Sequence, residues 1–441
     1  MLEALRADPC RIIEALFDFR QLRRFWRAWR SRGAEAIIDE LSTSMVAAPS
    51  VAAAEVRKME PEQGAILVID ACIPQHDRDA GSRSTYLYMQ ILREMGYRIY
   101  FMPNDQLRRE PYATEMEKTG VQLLVGRGYR CGQWKKWLER NVGKISHVIL
   151  HRPNVAMRYL PAIRRMKEVK VTYFACDLRF LRESRQYQVT GDTYHRSEAQ
   201  YWERIERQIV AQVDRAYFFS SEETRIVSSW AGGEQARTIP LFPLAIQSDS
   251  GLQFSQRSGL LFVGGFSHQP NRDAVMWFAR EVFPLVRSVL PDIEWHIVGR
   301  EPPSEILELS EIGICVEGAV SEQCLETRYR TARLVVAPLR FGAGVKGKVV
   351  EALCHGIPVL TTQVGAEGIP NDDEIMLVSH SPEEMARQII ETYTDSLRWE
   401  SVRERILCGA EQHFSRQTAM LHLAEGFNSM QTGASLTQHP A

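Results

Sequence analysis

Residues 338–362 read PLRFGAGVKGKVVEALCHGIPVLTT, a stretch whose residue types could hold a polyanion. A short apolar strand ends at Pro338, a loop with three glycines follows, and a helix is expected to start near Lys346 or Lys348. Glycines let backbone amides approach an anion closely, and a helix N-terminus adds a partial positive charge. Lys346 and Lys348 add full charges suited to a diphosphate, and Glu351, one turn into the helix, could accept hydrogen bonds from the vicinal hydroxyls of a ribose. The same spacing also fits a glycine-rich turn with solvated lysines, and spacing alone leaves both readings open.

Other candidates stand at the ends of apolar runs. His151 ends one such run at a sheet edge, where it reads either as a ligand-facing group or as a satisfied structural histidine. Asp177 ends another, and either orients a substrate hydroxyl or caps the helix that follows. The acids of Asp77-Arg78-Asp79 superficially match a carboxylate pair for a divalent cation. Solvated or loop-capping acids fit them as well, and no metal site is expected.

Two strand–helix series position these residues. In the first, Ala65–Ile69, Arg98–Phe101, Val121–Leu124, His147–Leu150, Val171–Phe174 and Ala216–Phe219 read as short buried strands separated by amphipathic segments, one of them a helix from about Ser84 to Met95. The rhythm breaks at Pro240–Pro243. Leu260–Val263, a helix from about Asn271 to Val289, Ile293–Val298, Ile314–Val316, Leu334–Ala337 and Val359–Thr361 form the second series, and helices follow Pro382. Short buried strands alternating with helices imply parallel, doubly wound sheets. The expected organisation is an extension at 1–63, Rossmann-like domains at 64–250 and 251–425, the last helices of the second free to pack back on the first, and a disordered tail at 426–441.

The bulk numbers agree with a soluble two-domain protein. The chain has 441 residues, 44% hydrophobic and 25% charged, with a formal net charge of -1 that offers no global field for nucleic acid. Its eight cysteines are scattered singly without a Cys-x-x-Cys pair, which points to a reducing, cytoplasmic setting. No signal peptide and no run long enough to span a membrane stands out. Near the N-terminus Phe19, Leu22, Trp26 and Trp29 share one helical face, and arginines fill the others. Such a helix suits an anionic membrane surface, or packing on the protein body or a partner.

The order of several segments carries more than any one of them. GLLFVGGFSHQPNRDAVMWFAREVFPLV (259–286), WHIVGREPP (295–303), the glycine loop and TTQVGAEGIP (361–370) resemble the C-terminal domain of glycosyltransferase family 4. ILVIDACIPQHDRDAGSRS (66–84), HRPN (151–154) and ACDLRFLRE (175–183) resemble its N-terminal half. The GAGVKGK loop resembles a subgroup found in bacterial cell-surface polysaccharide assembly. The resemblance covers about 64–425 and implies a GT-B fold, two Rossmann-like domains facing across a cleft. It implies a retaining, metal-independent transferase without a cofactor, taking a nucleotide diphosphate sugar as donor and a glycan or lipid-linked glycan as acceptor.

The same resemblance implies the roles of individual residues. Gly264, Gly265 and Phe266 form the first donor-domain loop, facing the cleft, and Gly299 and Arg300 lie beside the nucleobase pocket. Gly344, Val345, Gly347 and Lys348 contact the donor, Lys346 meets its phosphates and Glu351 its ribose. Asp79, Gly81 and Ser82 form an N-terminal loop reaching toward donor phosphates and acceptor, and His151 and Asp177 complete the catalytic set. Three departures stand out: Ala343 where many members have a second glutamate, Arg179 where the subgroup tends to have histidine, and His268 with Asn271 where a basic residue is common. These departures leave open a degenerate binding or scaffold module, and a nucleotide-sugar epimerase is a third reading.

Overall fold

The computed structural model describes residues 64–432, apart from 127, 131, 242–245, 247–251, 313 and 371–373. The amphipathic segment at 1–63 and residues 433–441 lie outside the described residues, whereas 426–432, expected as part of a disordered tail, continue the final described helix and bury Phe427.

The first sheet holds seven strands: β1 (Ala65–Asp70), β2 (Arg98–Pro103), β3 (Gln122–Leu123), β4 (Ile145–His151), β5 (Lys170–Ala175), β6 (Arg215–Phe218) and β7 (Ala236–Thr238). Its order is β3-β2-β1-β4-β5-β6-β7, and its strand pairs are parallel. The second holds six: β8 (Ser258–Val263), β9 (Trp295–Val298), β10 (Cys315–Gly318), β11 (Ala332–Ala337), β12 (Val359–Thr362) and β13 (Leu377–Ser379), in the order β10-β9-β8-β11-β12-β13 and again parallel. In each sheet the order reverses beside the first strand. Loops leaving neighbouring strands there turn to opposite faces and open a crevice at the carboxyl ends.

The strands are apolar nearly throughout because helices cover both faces. Asp79 caps helix α1 (Ala80–Glu94), accepting from the Ser82 amide at 2.9 Å, so the helix begins four residues before the expected Ser84. Residues 80–82 are therefore its first turn rather than a loop. The helices that matter next are α2 (Pro153–Ile163), α3 (Arg179–Thr190), α4 (Thr193–Val210) and α5 (Ser221–Ser228). In the second domain the helix expected over 271–289 is divided. It runs as α6 (Gln269–Trp277), passes through a π turn at Phe278–Val282 and resumes at Phe283. Pro284 has no N–H to continue the ladder, and the Phe283 amide reaches back five residues to the Phe278 carbonyl.

Helix α7 (Gly347–Cys354) follows the glycine loop, and α8 (Ser396–Phe414) packs against it. The last helix, α9 (Arg416–Thr432), crosses back to the first domain. Its Phe427 ring lies 5.7 Å from Tyr97 and 4.9 Å from His147, and Arg416 pairs with Glu94. β7 and β13, three residues each, went unforeseen because so short a run has no measurable period.

Candidate functional site

The crevice of the second sheet opens between β8 and β11. Gly344 there adopts φ +71, which lets the chain turn tightly into α7. Lys346 is the N-cap of α7 but gives no side-chain cap, and among the described residues the amides of 342–348 donate to no backbone carbonyl. Consecutive unpartnered amides at a helix N-terminus form an anion nest. The Lys346 ammonium donates to the Gly344 carbonyl, closing the loop on itself. Lys348 Nζ donates to Asn271 Oδ1 at 2.5 Å and lies 4.3 Å from the centre of the Phe262 ring. Burial lowers both lysines, Lys348 to about 7. Glu351, one turn on, accepts from Arg83 at 2.6 Å and from the Tyr329 hydroxyl at 3.1 Å.

Gly264 and Gly265 form the turn after β8, and Asn271 donates to the Gly265 carbonyl at 2.7 Å. A Cβ on Gly299 would lie 2.0 Å from the Gly264 carbonyl oxygen, so a side chain there would force the two crevice loops apart. Phe266 departs from expectation. Its side chain is 0% exposed and lies in the domain core, because the apolar ring packs under the loop rather than toward the cleft. Arg300 reaches across to Asp77, 3.3 Å from Oδ2, so its guanidinium contacts the opposite domain. Val345 and Gly347 sit within the turn that begins α7.

The facing wall is built from β1, β4, β5 and the helices that leave them. Asp70 is 2% exposed, and it accepts from the Ala71 amide at 2.6 Å, Arg152 Nε at 2.9 Å and Thr85 Oγ1 at 3.2 Å. Arg152 has φ +65, an unusual backbone for arginine that follows His151 directly. His151 is 4% exposed, 3.4 Å from Thr85 Oγ1, and burial lowers it to about 4, so it is neutral beneath this cluster. Gly81 approaches Cys176, and Ser82 Oγ donates to Asp79 Oδ2 at 2.7 Å, which leaves Asp79 occupied as a cap.

Asp177 does not cap α3, which follows it. The Leu178 and Arg179 amides donate to Glu223 and Glu206, each at 2.8 Å, and the Phe180 amide donates to Glu206 at 3.2 Å. The Asp177 carboxylate pairs instead with Arg182. A Cβ on Gly344 would lie 3.1 Å from Asp177 Cβ, so this turn touches the glycine loop directly. Arg185 donates to the Gly342 carbonyl at 2.8 Å and pairs with Glu367. Arg179 turns away, its guanidinium 3.9 Å from the centre of the Trp202 ring.

The structure thus brings Lys346, Lys348, Glu351, Gly264, Gly299, Gly344 and Asp177 into one cleft. Arg83, Arg182, Arg185, Glu206 and Glu223 escaped sequence reading, since arginines and glutamates on helices normally signal a solvated face, and so did Arg152, in the turn before α2. Asp77 is engaged by the Tyr112 hydroxyl at 2.6 Å and by Arg300. Among the described residues no group of three or more His, Cys, Asp or Glu could hold a metal ion. No described helix is long and apolar enough to cross a membrane.

Paired doubly wound domains, with carboxyl-end crevices meeting at one cleft, define a GT-B architecture. Solved structures share it at low identity. A sucrose-phosphate synthase from Thermosynechococcus elongatus has TM-score 0.62 and 14% identity, covering 84% of this chain and 100% of that one. A glycosyltransferase from Rickettsia africae gives 0.60 and 11%, covering 85% and 99%. Anabaena HepE, in complex with UDP and glucose, gives 0.60 and 12%, covering 83% and 100%.

Within this frame residues 257–395, the body of the second domain, match the family described as Glycosyl transferases group 1. An uncharacterized 44.6 kDa protein in the cps region of Klebsiella pneumoniae is 27% identical over 139 residues, 30% of this chain. The match spans 36% of that relative's length.

Proposed function

We propose that the chain is a retaining, metal-independent glycosyltransferase of family 4. It moves a hexose-type sugar from a nucleotide diphosphate to a glycan or lipid-linked glycan, in bacterial surface-polysaccharide synthesis at the cytoplasmic face of the membrane. The observation that carries this reading is the row of unpartnered amides at 342–348, with Lys346 and Lys348, at the switch point of the second sheet. Departure of a nucleoside diphosphate leaves negative charge on the leaving phosphate oxygens. Amides and ammonium groups fixed in a desolvated cleft stabilise that charge without reorganising, and such stabilisation usually accelerates group transfer more than any other single effect. Here they supply what a divalent cation supplies elsewhere.

In this reading Glu351 accepts the ribose hydroxyls in exchange for its bond to Arg83. The UDP and glucose bound by HepE and the cps location of the Klebsiella relative support the donor and acceptor classes. Purified protein incubated with a panel of nucleotide sugars and lipid-linked acceptors should release nucleoside diphosphate, with turnover unchanged by EDTA and lost in Glu351→Ala. Full turnover in that variant removes Glu351 from the donor site. Binding of a nucleotide sugar without release under any acceptor would instead identify a binding module of an assembly complex.

A further inference from the structure

The arginines of α3 belong to the first domain, yet two of them face the donor loop of the second. The turn before α3 touches Gly344 through Asp177 and the Cys176 carbonyl. Arg182 pairs with Asp177, and Arg185, one turn further, bonds the Gly342 carbonyl and Glu367. Glu206 and Glu223, 1% and 0% exposed, anchor the amides at the start of α3, a helix that carries Arg185 to the Gly342 carbonyl and Arg182 to Asp177, the residue beside Gly344. The second domain, by contrast, brings its side-chain charge on two buried lysines that fold back on nearby oxygens. Burial lowers its two lysines, and His268, at the mouth of its first loop, is lowered to about 4 and neutral. A guanidinium keeps its charge under such burial and presents paired donors to phosphate oxygens.

We propose that Arg182 and Arg185 supply, from the opposite domain, the fixed positive charge of the donor diphosphate site. The inference rests on the reading of 342–348 as that site. On binding, Arg185 exchanges the Gly342 carbonyl for a phosphate oxygen, and Arg182 bridges Asp177 and the diphosphate. Donor binding therefore requires the two domains to be closed, because the amide nest lies on one and the arginines on the other.

Isothermal titration with UDP, GDP and ADP first finds the diphosphate that the wild type binds most tightly. Arg182→Gln and Arg185→Gln should each weaken it by about 10- to 100-fold, the usual loss of a charge-assisted hydrogen bond. Affinity for the parent nucleoside should be unchanged, and Arg182→Lys should recover part of the loss. Arg179→Gln, on the helix face turned to Trp202, should bind as the wild type does. Unchanged diphosphate affinity in both glutamine variants, or equal loss of the nucleoside, overturns the proposal. Wild-type protein that binds none of the three diphosphates overturns the donor-site reading and this inference with it, a result distinct from either variant outcome.

Discussion

The second domain meets the cleft with backbone, an open run of amides at 342–348 whose two lysines fold back on nearby oxygens. The first domain meets it with side chains, Arg83, Arg152, Arg182 and Arg185, each already paired with a carboxylate or carbonyl. An amide nest is fixed by the fold and needs no partner to hold its shape. Arginine side chains must be held by acids until a ligand replaces them. One wall is therefore preorganised and the other exchangeable, and perturbing either should have a different signature.

The largest effect should come from disturbing the backbone wall. In Gly344→Val a branched side chain must adopt φ +71 and press on Asp177 and the Cys176 carbonyl, both 3.1 Å from its Cβ. Strain of this kind costs about 1–3 kcal/mol and shifts the loop rather than unfolding the domain. Nucleoside diphosphate affinity should fall by more than about 100-fold, while the melting temperature drops by only a few degrees. Titration calorimetry and a thermal melt measure the two. Wild-type affinity in this variant would mean that the nest is not the anion site.

Lys348 gives the next effect, read through pH. It faces Asn271 and the Phe262 ring, with Glu351, Lys346 and His268 as its charged or titratable surroundings. Burial lowers its ammonium from 10.5 to about 7, with Lys346 adding to the lowering and Glu351 opposing it. A bound diphosphate favours the charged form, so affinity is fully present below pH 7 and is lost as pH rises through it. His268, already neutral, stays silent over this range. With an intact nucleotide sugar, whose phosphates stay ionised throughout, the dissociation constant should rise about tenfold from pH 6 to 8. Lys348→Gln should bind more weakly at pH 6 and show a flat profile.

This asymmetry also explains what the sequence revealed. GAGVKGK stood out for its glycines and lysines, but its spacing left a structural turn equally open and only the resemblance singled it out, whereas both parallel sheets were legible from runs such as AILVI and LVVA. Arg182 and Arg185 were not, because their role depends on where α3 points, and Glu206 and Glu223 set that direction from distant helices. Phe266 misled for a related reason: its neighbours Gly264 and Gly265 form a cleft loop, but nothing in the string GGFSH says which way the ring turns. Asp79 looked like a substrate-facing loop residue and is a helix cap, a role that GSRS after it also permits.

The smallest effect concerns the pair that joins the walls, Arg83 and Glu351, whose side chains are 32% and 17% exposed. A partly exposed pair of this kind contributes about 0.5–1 kcal/mol, so a double-mutant cycle on thermal stability should give a coupling in that range. Its value lies in the dependence on ligand. If Glu351 turns to a ribose when donor binds, saturating nucleoside diphosphate should erase the coupling. Arg83→Ala should then leave affinity unchanged or raise it a few-fold by releasing the carboxylate. Glu351→Ala should lower affinity even though it breaks the same bond, because it removes the acceptor as well as the tie. Should both variants change stability and affinity alike, Glu351 is only a tie between domains, and donor recognition would rest on the loop amides and the cations around them.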